Sequence, residues 1–452
     1  MRASLQSFFL NFELKYPSHM NAQSNQTKWK IWYIDKINLM DSAKCEDIVV
    51  VGAGISGLAT ALGLHRLGIR SLVLESSENL RITGFALTMW TNAWRALDAL
   101  GIGDLLRKSS VQIQGYQLAS ANSNQPTSQR SSEANVKFKF ENRCVRRKIL
   151  LETLAGELPE GTIRFSSKVV LIEESGKFKL VHLADGSVIK TKVLIGCDGV
   201  NSIVAKWLGL QNAVSCGRSS IRGFVNYPNP HAYEPKIHVH LEGGVRYGLI
   251  PSSDKSVYWA CTFDPSIFKH EGDEPTPAEM KQFVVTNVRS APIQVSDVVG
   301  RTELDFINYA PLKFRLPWNI LLGNILKNNV CVAGDAFHPM TPDLGQGGCS
   351  ALEGGVILAR CLGEAFLGKT KGHEQTNDDE FVRIEKGLEK YVKERRWRCF
   401  SLVSIAYLFG LIQQKEGKVI SYLRKKFLSN YFAVTMVKMA DFECGKLSVP
   451  IP

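Results

Sequence analysis

The hydrophobic pattern divides the chain into regions with different periods. DIVVV (47–51) is an unbroken apolar run, which predicts a buried strand. The glycine-rich GAGISG follows, then a helical pattern from about Ser56 to Leu67 with Gly68 as its stop, then a second strand, SLVLE (71–75). VRRKILLETLAGEL (145–158) reads as an amphipathic helix, and 163–199 alternates like strands with turns at Ser175-Gly176 and Asp185-Gly186. From 215 to 318, aromatic and β-branched runs (SIRGFVNY, KIHVHLEGGVRYGLIP, SVYWACTF) predict a mostly antiparallel sheet with one helix over 277–289. A short apolar run then ends in Gly334-Asp335 and a Pro- and Gly-rich loop, after which the chain reads as helical nearly to its end. The polar stretch 116–138 reads as a surface loop.

At 452 residues the chain exceeds the usual limit of one hydrophobic core, so two domains are expected. Ten cysteines without a CxxC pair argue against a zinc site or a disulfide framework and fit a reducing compartment. The net charge of +12 is uneven: 383–426 holds twelve Lys/Arg against four Glu, a surplus of eight. No nucleic-acid role follows from such a segment. A solvated helix face is the plain reading, and weak membrane-surface contact is the alternative. The longest apolar run, 399–412, has 14 residues against the roughly 20 a membrane span needs. Residues 1–39 include Glu13 and Asp35 and make a poor secretory signal and a weak transit peptide, so a cytoplasmic or plastid location is expected, without secretion.

Three motifs carry chemistry. Gly52-Ala53-Gly54-Ile55-Ser56-Gly57 is GxGxxG directly after a strand and opening a helix. In that context Gly52 allows the turn, Gly54 lets a pyrophosphate approach the backbone, and Gly57 permits close helix–strand packing. Glu75, 18 residues beyond Gly57, ends the second strand where a carboxylate accepts ribose hydroxyls. This motif alone fits FAD or NAD equally. Gly196-Cys197-Asp198-Gly199 follows the strand KVLI, and Gly334-Asp335 opens AFHPMTPDLGQGG.

In this order, the N-terminal GxGxxG, the mid-chain DG motif and the late GD motif resemble the group A flavoprotein monooxygenases, the para-hydroxybenzoate hydroxylase-like family. In detail the chain resembles the plant FAD-dependent monooxygenases related to zeaxanthin epoxidase and urate hydroxylase. It implies an α/β fold: a Rossmann-like FAD-binding domain with a parallel sheet, a mostly antiparallel substrate domain and a helical C-terminus. The boundaries expected are a leader (1–44), the FAD domain in two parts (45–214 and 319–370), the substrate domain (215–318) and a C-terminal helical region (371–452). By resemblance Asp335 holds the ribityl chain, Asp198 and Gly199 serve FAD and nicotinamide, Arg147 (with Arg146 as neighbour) contacts the flavin, and the Val169 backbone lies by adenine. Gly345, Gly347 and Gly348 suit the negative charge of reduced flavin, because helix N-terminal N–H groups stabilise anions.

The activity implied is hydroxylation or epoxidation of a small organic substrate with NADPH or NADH and O2, through a flavin C4a-hydroperoxide. A reductase or dehydrogenase on the same fold, or a flavin-binding homologue with impaired catalysis, are the alternatives. No metal centre or Ser-His-Asp triad is expected, since the cofactor carries the chemistry. Candidate pocket residues are Arg222, Arg246, Tyr247, Tyr258 and Trp259, with Arg222 either pairing an anionic substrate or serving structure. His338 is read as an acid–base group or as a loop-fixing hydrogen-bonder. Cys349, Gly354 and Lys206 depart from the family pattern, where Asn, Asp and Arg are usual, and this bears on the use of nicotinamide.

Overall fold

The computed structural model describes residues 44–82, 84–120, 123–131, 141–270, 272, 274–288, 293–368, 377–414 and 432–447. The leader up to 43 and the stretch 415–431 of the basic segment lie outside the described residues.

An eight-stranded sheet contains five parallel strands, running to one edge in the order Val330–Val332, Val188–Gly196, Lys44–Val51, Leu72–Leu74 and Ile163–Arg164. Both faces are covered, which explains the unbroken apolar run of the first strand. Ile48 and Val50 enter one core, while Val49 and Val51 enter the other. On the first side the helix Ile55–Arg66 lies against Gly347–Leu367. Small residues set that approach: a Cβ at Gly63 would come within 2.6 Å of the Ala359 Cβ, and one at Gly355 within 2.7 Å of the Ala59 Cβ.

The second sheet has seven strands, in the order Ile307–Phe314, Val214–Asn226, Ser256–Phe263, Val245–Ser253, Lys236–Glu242, Gly115–Ser120 and Ser123–Ser131. All its pairings are antiparallel except Lys236–Glu242 with Gly115–Ser120. The last two strands correct the reading of 116–138 as a loop: their Ser, Asn and Gln content suits a polar sheet edge and hides the strand period. A small antiparallel sheet of Ala86–Trp90, Asn142–Arg146 and Val111–Gln112 is built from the same part of the chain.

Two helices, not one, cover a face of the seven-stranded sheet. Pro277–Asn287 begins at a capping box in which Thr276 and Glu279 exchange bonds, with Pro277 in the first turn. Ile293–Arg301 follows, and its Val295, Val298 and Val299 are buried at the i, i+3, i+4 spacing that the sequence already displayed. The apolar run 399–412 lies in the 38-residue helix Asn377–Gln414, where Cys399, Leu402, Val403, Ala406 and Phe409 are buried. No described helix is long and apolar enough to cross a membrane.

Candidate active site

Each glycine of the GxGxxG turn meets a different constraint. Gly52 has φ +102, and a Cβ there would stand 2.5 Å from the Cys197 carbonyl oxygen. A Cβ at Gly57 would stand 2.0 Å from the Gly52 carbonyl oxygen, so helix and turn can touch only through glycine. At Gly54 nothing lies within 4 Å, which leaves one side of the turn open at a helix N-terminus. Glu75 is buried beside it. Its Oε2 accepts from the Ala53 N–H at 2.9 Å, and its Oε1 from the Ser77 N–H at 2.9 Å. The Ser167 N–H donates to the Glu75 carbonyl at 2.7 Å, bringing the segment before Val169 alongside; the Val169 side chain itself is buried.

The DG and GD motifs emerge at the C-terminal ends of neighbouring parallel strands. Cys197 N–H donates to Val51 O at 2.8 Å, and Ala333 N–H to Gly196 O at 2.9 Å. Asp198 Oδ2 accepts from the Ile203 N–H at 2.7 Å, whereas Oδ1 is buried without a hydrogen-bond partner among the described residues. Burial pushes the Asp198 carboxyl up. Gly199 turns the chain at φ +79 with open space beside it.

Asp335 retains exposed surface between buried Gly334 and Ala336. The protein atoms around it nevertheless push its carboxyl up, against the pull of the Arg147 guanidinium. Arg147 is itself held below the usual arginine range by burial, and its Nε has no partner among the described residues. Arg146 instead lies 4.9 Å above the Phe224 ring, so Arg147 is the arginine that faces Asp335.

The GD loop is fastened from several directions. A Cβ at Gly334 (φ +58) would reach the Ser56 Cβ at 2.7 Å, and one at Gly345 (φ +62) the Thr88 Oγ1 at 2.6 Å. Arg315 donates to the carbonyls of Phe337 (2.9 Å) and Ala336 (3.0 Å). Asp343 and Arg218 form a buried two-bonded pair at 3.0 and 2.8 Å. Gly347 and Gly348 start the 21-residue helix, with open space near Gly347 up to Met340 at 3.8 Å.

His338 corrects the loop-fixing reading. Its backbone N–H bonds Gly334 O at 2.8 Å, but both ring nitrogens are buried without partners among the described residues. Burial pushes the imidazole down to about 3, with the Arg395 charge adding to the effect.

The seven-stranded sheet sorts the pocket candidates by face. Arg222 pairs across with Ala260, Phe224 with Tyr258, Tyr258 with Ile250, and Arg246 with Leu241 and Thr262. Ile237 pairs with Tyr116, so Arg222, Phe224, Tyr258, Arg246 and Tyr116 share one face. Phe85 (φ +53), just before the small sheet's first strand, stacks on Phe224 with ring centroids 6.1 Å apart. Tyr247 and Trp259 lie on the opposite face beneath the two helices, where Trp259 Nε1 donates to Thr302 Oγ1 at 2.9 Å. They are core residues and leave the pocket list. The period of two held this answer, since adjacent residues 246/247 and 258/259 must point opposite ways. Tyr116, Phe224 and the Arg218–Asp343 pair were not singled out from the sequence.

Comparison with known proteins bears on this geometry directly. A family model described as FAD binding domain matches residues 46–378. The chain belongs to this family. Monooxygenase 2 of Arabidopsis thaliana is 50% identical over 411 residues, covering 90% of this chain and 100% of that protein. Monooxygenase 1 of the same plant is 36% identical over 406 residues, covering 88% and 99%. Among solved structures, Klebsiella pneumoniae HpxO complexed with FAD and uric acid superposes with a TM-score of 0.74 at 22% identity, covering 89% of this chain and 98% of that one. At that identity the likeness shows the fold. The chain is an FAD-dependent monooxygenase of the group A type.

The residues present suit FAD. The side of the turn open at Gly54, the Asp198 Oδ1 and Arg147 Nε without partners among the described residues, and the exposed Asp335 are groups that a bound dinucleotide would satisfy. The three departures are accommodated differently. Cys349 Sγ lies 3.5 Å from Thr88 O, and burial pushes the thiol up to about 12. Gly354 leaves room beside Arg395 Nε (3.8 Å), and Lys206 is exposed on the short helix Ile203–Trp207.

Proposed function

We propose that this monooxygenase uses NADPH or NADH and O2 to hydroxylate a small, planar, anionic aromatic or heterocyclic compound. The carrying observation is Arg222 and Arg246 on one sheet face with Tyr116, Phe224 and Tyr258, neither arginine having a carboxylate partner among the described residues. Arg222 also lies near enough to Arg147 for the two charges to oppose each other, which favours an anion between sheet and cofactor. The related urate hydroxylases and the structurally similar salicylate hydroxylase are named for planar substrates of this kind.

FAD, when bound, supplies two-electron reduction by the nicotinamide and reaction with O2. The protein's part is positioning. Glu75 would accept ribose hydroxyls and Asp335 those of the ribityl chain, Asp198 and Gly199 would complete the cofactor's surroundings, and the open side of Gly54 would receive the pyrophosphate. Val169 would border the adenine. Arg147 and the N–H groups of Gly345, Gly347 and Gly348 would face the ring system. Arg222 and Arg246 would hold the substrate anion, and the phenols of Tyr116 and Tyr258, which burial keeps protonated, would donate to it. Phe85 and Phe224 would exclude water.

A second reading, epoxidation of a neutral isoprenoid, takes support from Ile250 and the apolar cluster of Ile237, Val239 and Leu241 with Ala86, Ile113 and Cys144 that borders this face. The deciding experiment is NAD(P)H oxidation over phenols, purines and carotenoids, with incorporation of 18O from O2 followed in the product. Arg222→Gln and Arg246→Gln should each raise KM for the anionic substrate roughly tenfold to a hundredfold while FAD stays bound. Oxygen transfer to neutral isoprenoids alone would replace this reading with the second. Nicotinamide consumption without labelled product from any compound would remove both.

A further inference from the structure

A buried charge cluster stands behind the first turns of the helix Gly347–Leu367. Glu353 has no exposed surface. Its Oε2 lies 2.5 Å from Arg395 Nη1 and its Oε1 2.8 Å from Arg398 Nη2, with those arginine side chains 0% and 10% exposed. Arg395 also donates to Ser350 O (3.0 Å) and Ser350 Oγ (2.6 Å), and Arg398 to Met439 O (2.6 Å). Asn92 Nδ2 donates both to Glu353 Oε1 (2.5 Å) and to Gln346 Oε1 (2.8 Å), which carries the network into the GD loop. Both arginines come from the helix Asn377–Gln414, past residue 378 where the family match ends.

The charges do not cancel. Two guanidinium groups face one carboxylate, and the Glu353 carboxyl is held down to about 2 by the two arginines against its burial. Three neighbouring titratable groups are neutral: His338 is pushed down to about 3, the Cys349 thiol up to about 12, and the Tyr391 phenol up as well. Of the charged neighbours, Arg315 adds positive charge at the Ala336 and Phe337 carbonyls, and Glu443 is paired with Arg95. One net positive charge is therefore buried beside Ser350. That residue is two to three positions from Gly347 and Gly348, or roughly 3 to 4.5 Å along the helix axis.

We propose that Glu353, Arg395 and Arg398 place one net positive charge behind the Gly345–Gly348 loop, and that this charge favours the reduced, anionic form of bound flavin and so raises its reduction potential. The proposal rests on the reading that this loop faces the flavin. Reduction takes two electrons and one proton from the reductant and leaves one negative charge on the ring; the cluster exchanges nothing and acts through its field. A unit charge about 10 Å away at an effective dielectric near 20 changes such an equilibrium on the order of tenfold.

The test equilibrates full-length, FAD-loaded protein with a reference dye under slow enzymatic reduction and reads the ratio of reduced to oxidised flavin at a fixed poise. Arg398→Met leaves a neutral Glu353–Arg395 pair and should lower that ratio about tenfold, ~30 mV for a two-electron couple. Glu353→Gln leaves two positive charges and should raise it. Opposite signs are the signature, because mere loosening would move both variants the same way; a common direction, or a change under twofold in Arg398→Met, overturns the proposal. Arg398→Lys covers the case in which Glu353→Gln does not fold. It keeps the charge and should match the parent, and a shift as large as that of Arg398→Met overturns the proposal.

Gly348→Ala separates the two layers of the argument, since its Cβ would meet Met89 Cε at 3.3 Å. If it perturbs the flavin spectrum while the arginine variants leave the potential unmoved, the field inference fails and the loop reading stands. If nothing moves the flavin, both fail.

Discussion

The two glycine-bearing loops of the site reach their shapes by opposite means. In the GxGxxG turn the decisive contacts are short in sequence or come from the ends of the two strands flanking its own: Gly57 against the Gly52 carbonyl, Gly52 against Cys197, Ala53 against Glu75. The GD loop is held from remote parts of the chain: Gly334 by Ser56, Gly345 by Thr88, Asp343 by Arg218 and Gln346 by Asn92. The first is a local steric device. The second is a long-range assembly, which a loop rich in Pro and Gly requires because it makes few regular backbone bonds of its own.

The largest effect should come from the local device. Gly57→Ala drives a Cβ into backbone and should yield no soluble folded protein, a loss beyond about 4 kcal/mol. Gly54→Ala should fold with a melting temperature close to the parent and lose FAD affinity alone. Thermal melts with flavin stoichiometry read both; equal damage from the two substitutions would break the comparison. In the remote device, Arg218→Met strands a buried Asp343 carboxylate and should cost roughly 3 to 5 kcal/mol in urea unfolding. A cost under about 1 kcal/mol would show that the loop holds itself.

His338 adds a pH dependence that belongs to the GD loop alone. Its ring takes a proton at about 3 in the fold and near 6.5 in the unfolded chain. The unfolded state therefore binds more protons between those values, and stability is lost as pH falls from about 6.5 towards 3. The limiting slope is about 1.4 kcal/mol per pH unit. Unfolding curves of His338→Leu should be flatter over that window than those of the parent; parallel curves would contradict a buried neutral ring. Lys206→Arg, exposed and outside both loops, should change the melting free energy by less than about 0.5 kcal/mol.

Much of the site was legible because its constraints are local. A carboxylate 18 residues past Gly57, a DG after KVLI and a GD after VCVA each follow an apolar strand. What stayed hidden had two causes. The strands Gly115–Ser120 and Ser123–Ser131 are polar at a sheet edge, so no apolar alternation marks them. Arg218, Asn92 and Arg395 are ordinary polar residues in sequence and gain meaning only from partners more than 40 residues away.

The sequence by itself determined the β–α–β turn, the family and the candidate acids, since a period, a glycine and a spacing act within one turn or one strand. Only the tertiary structure decided which arginine meets Asp335, which aromatics leave the pocket, and which charges stand behind the GD loop. Those outcomes depend on strand pairing and helix packing across nearly the whole chain. A burial or a Coulomb interaction exists only once distant segments have met.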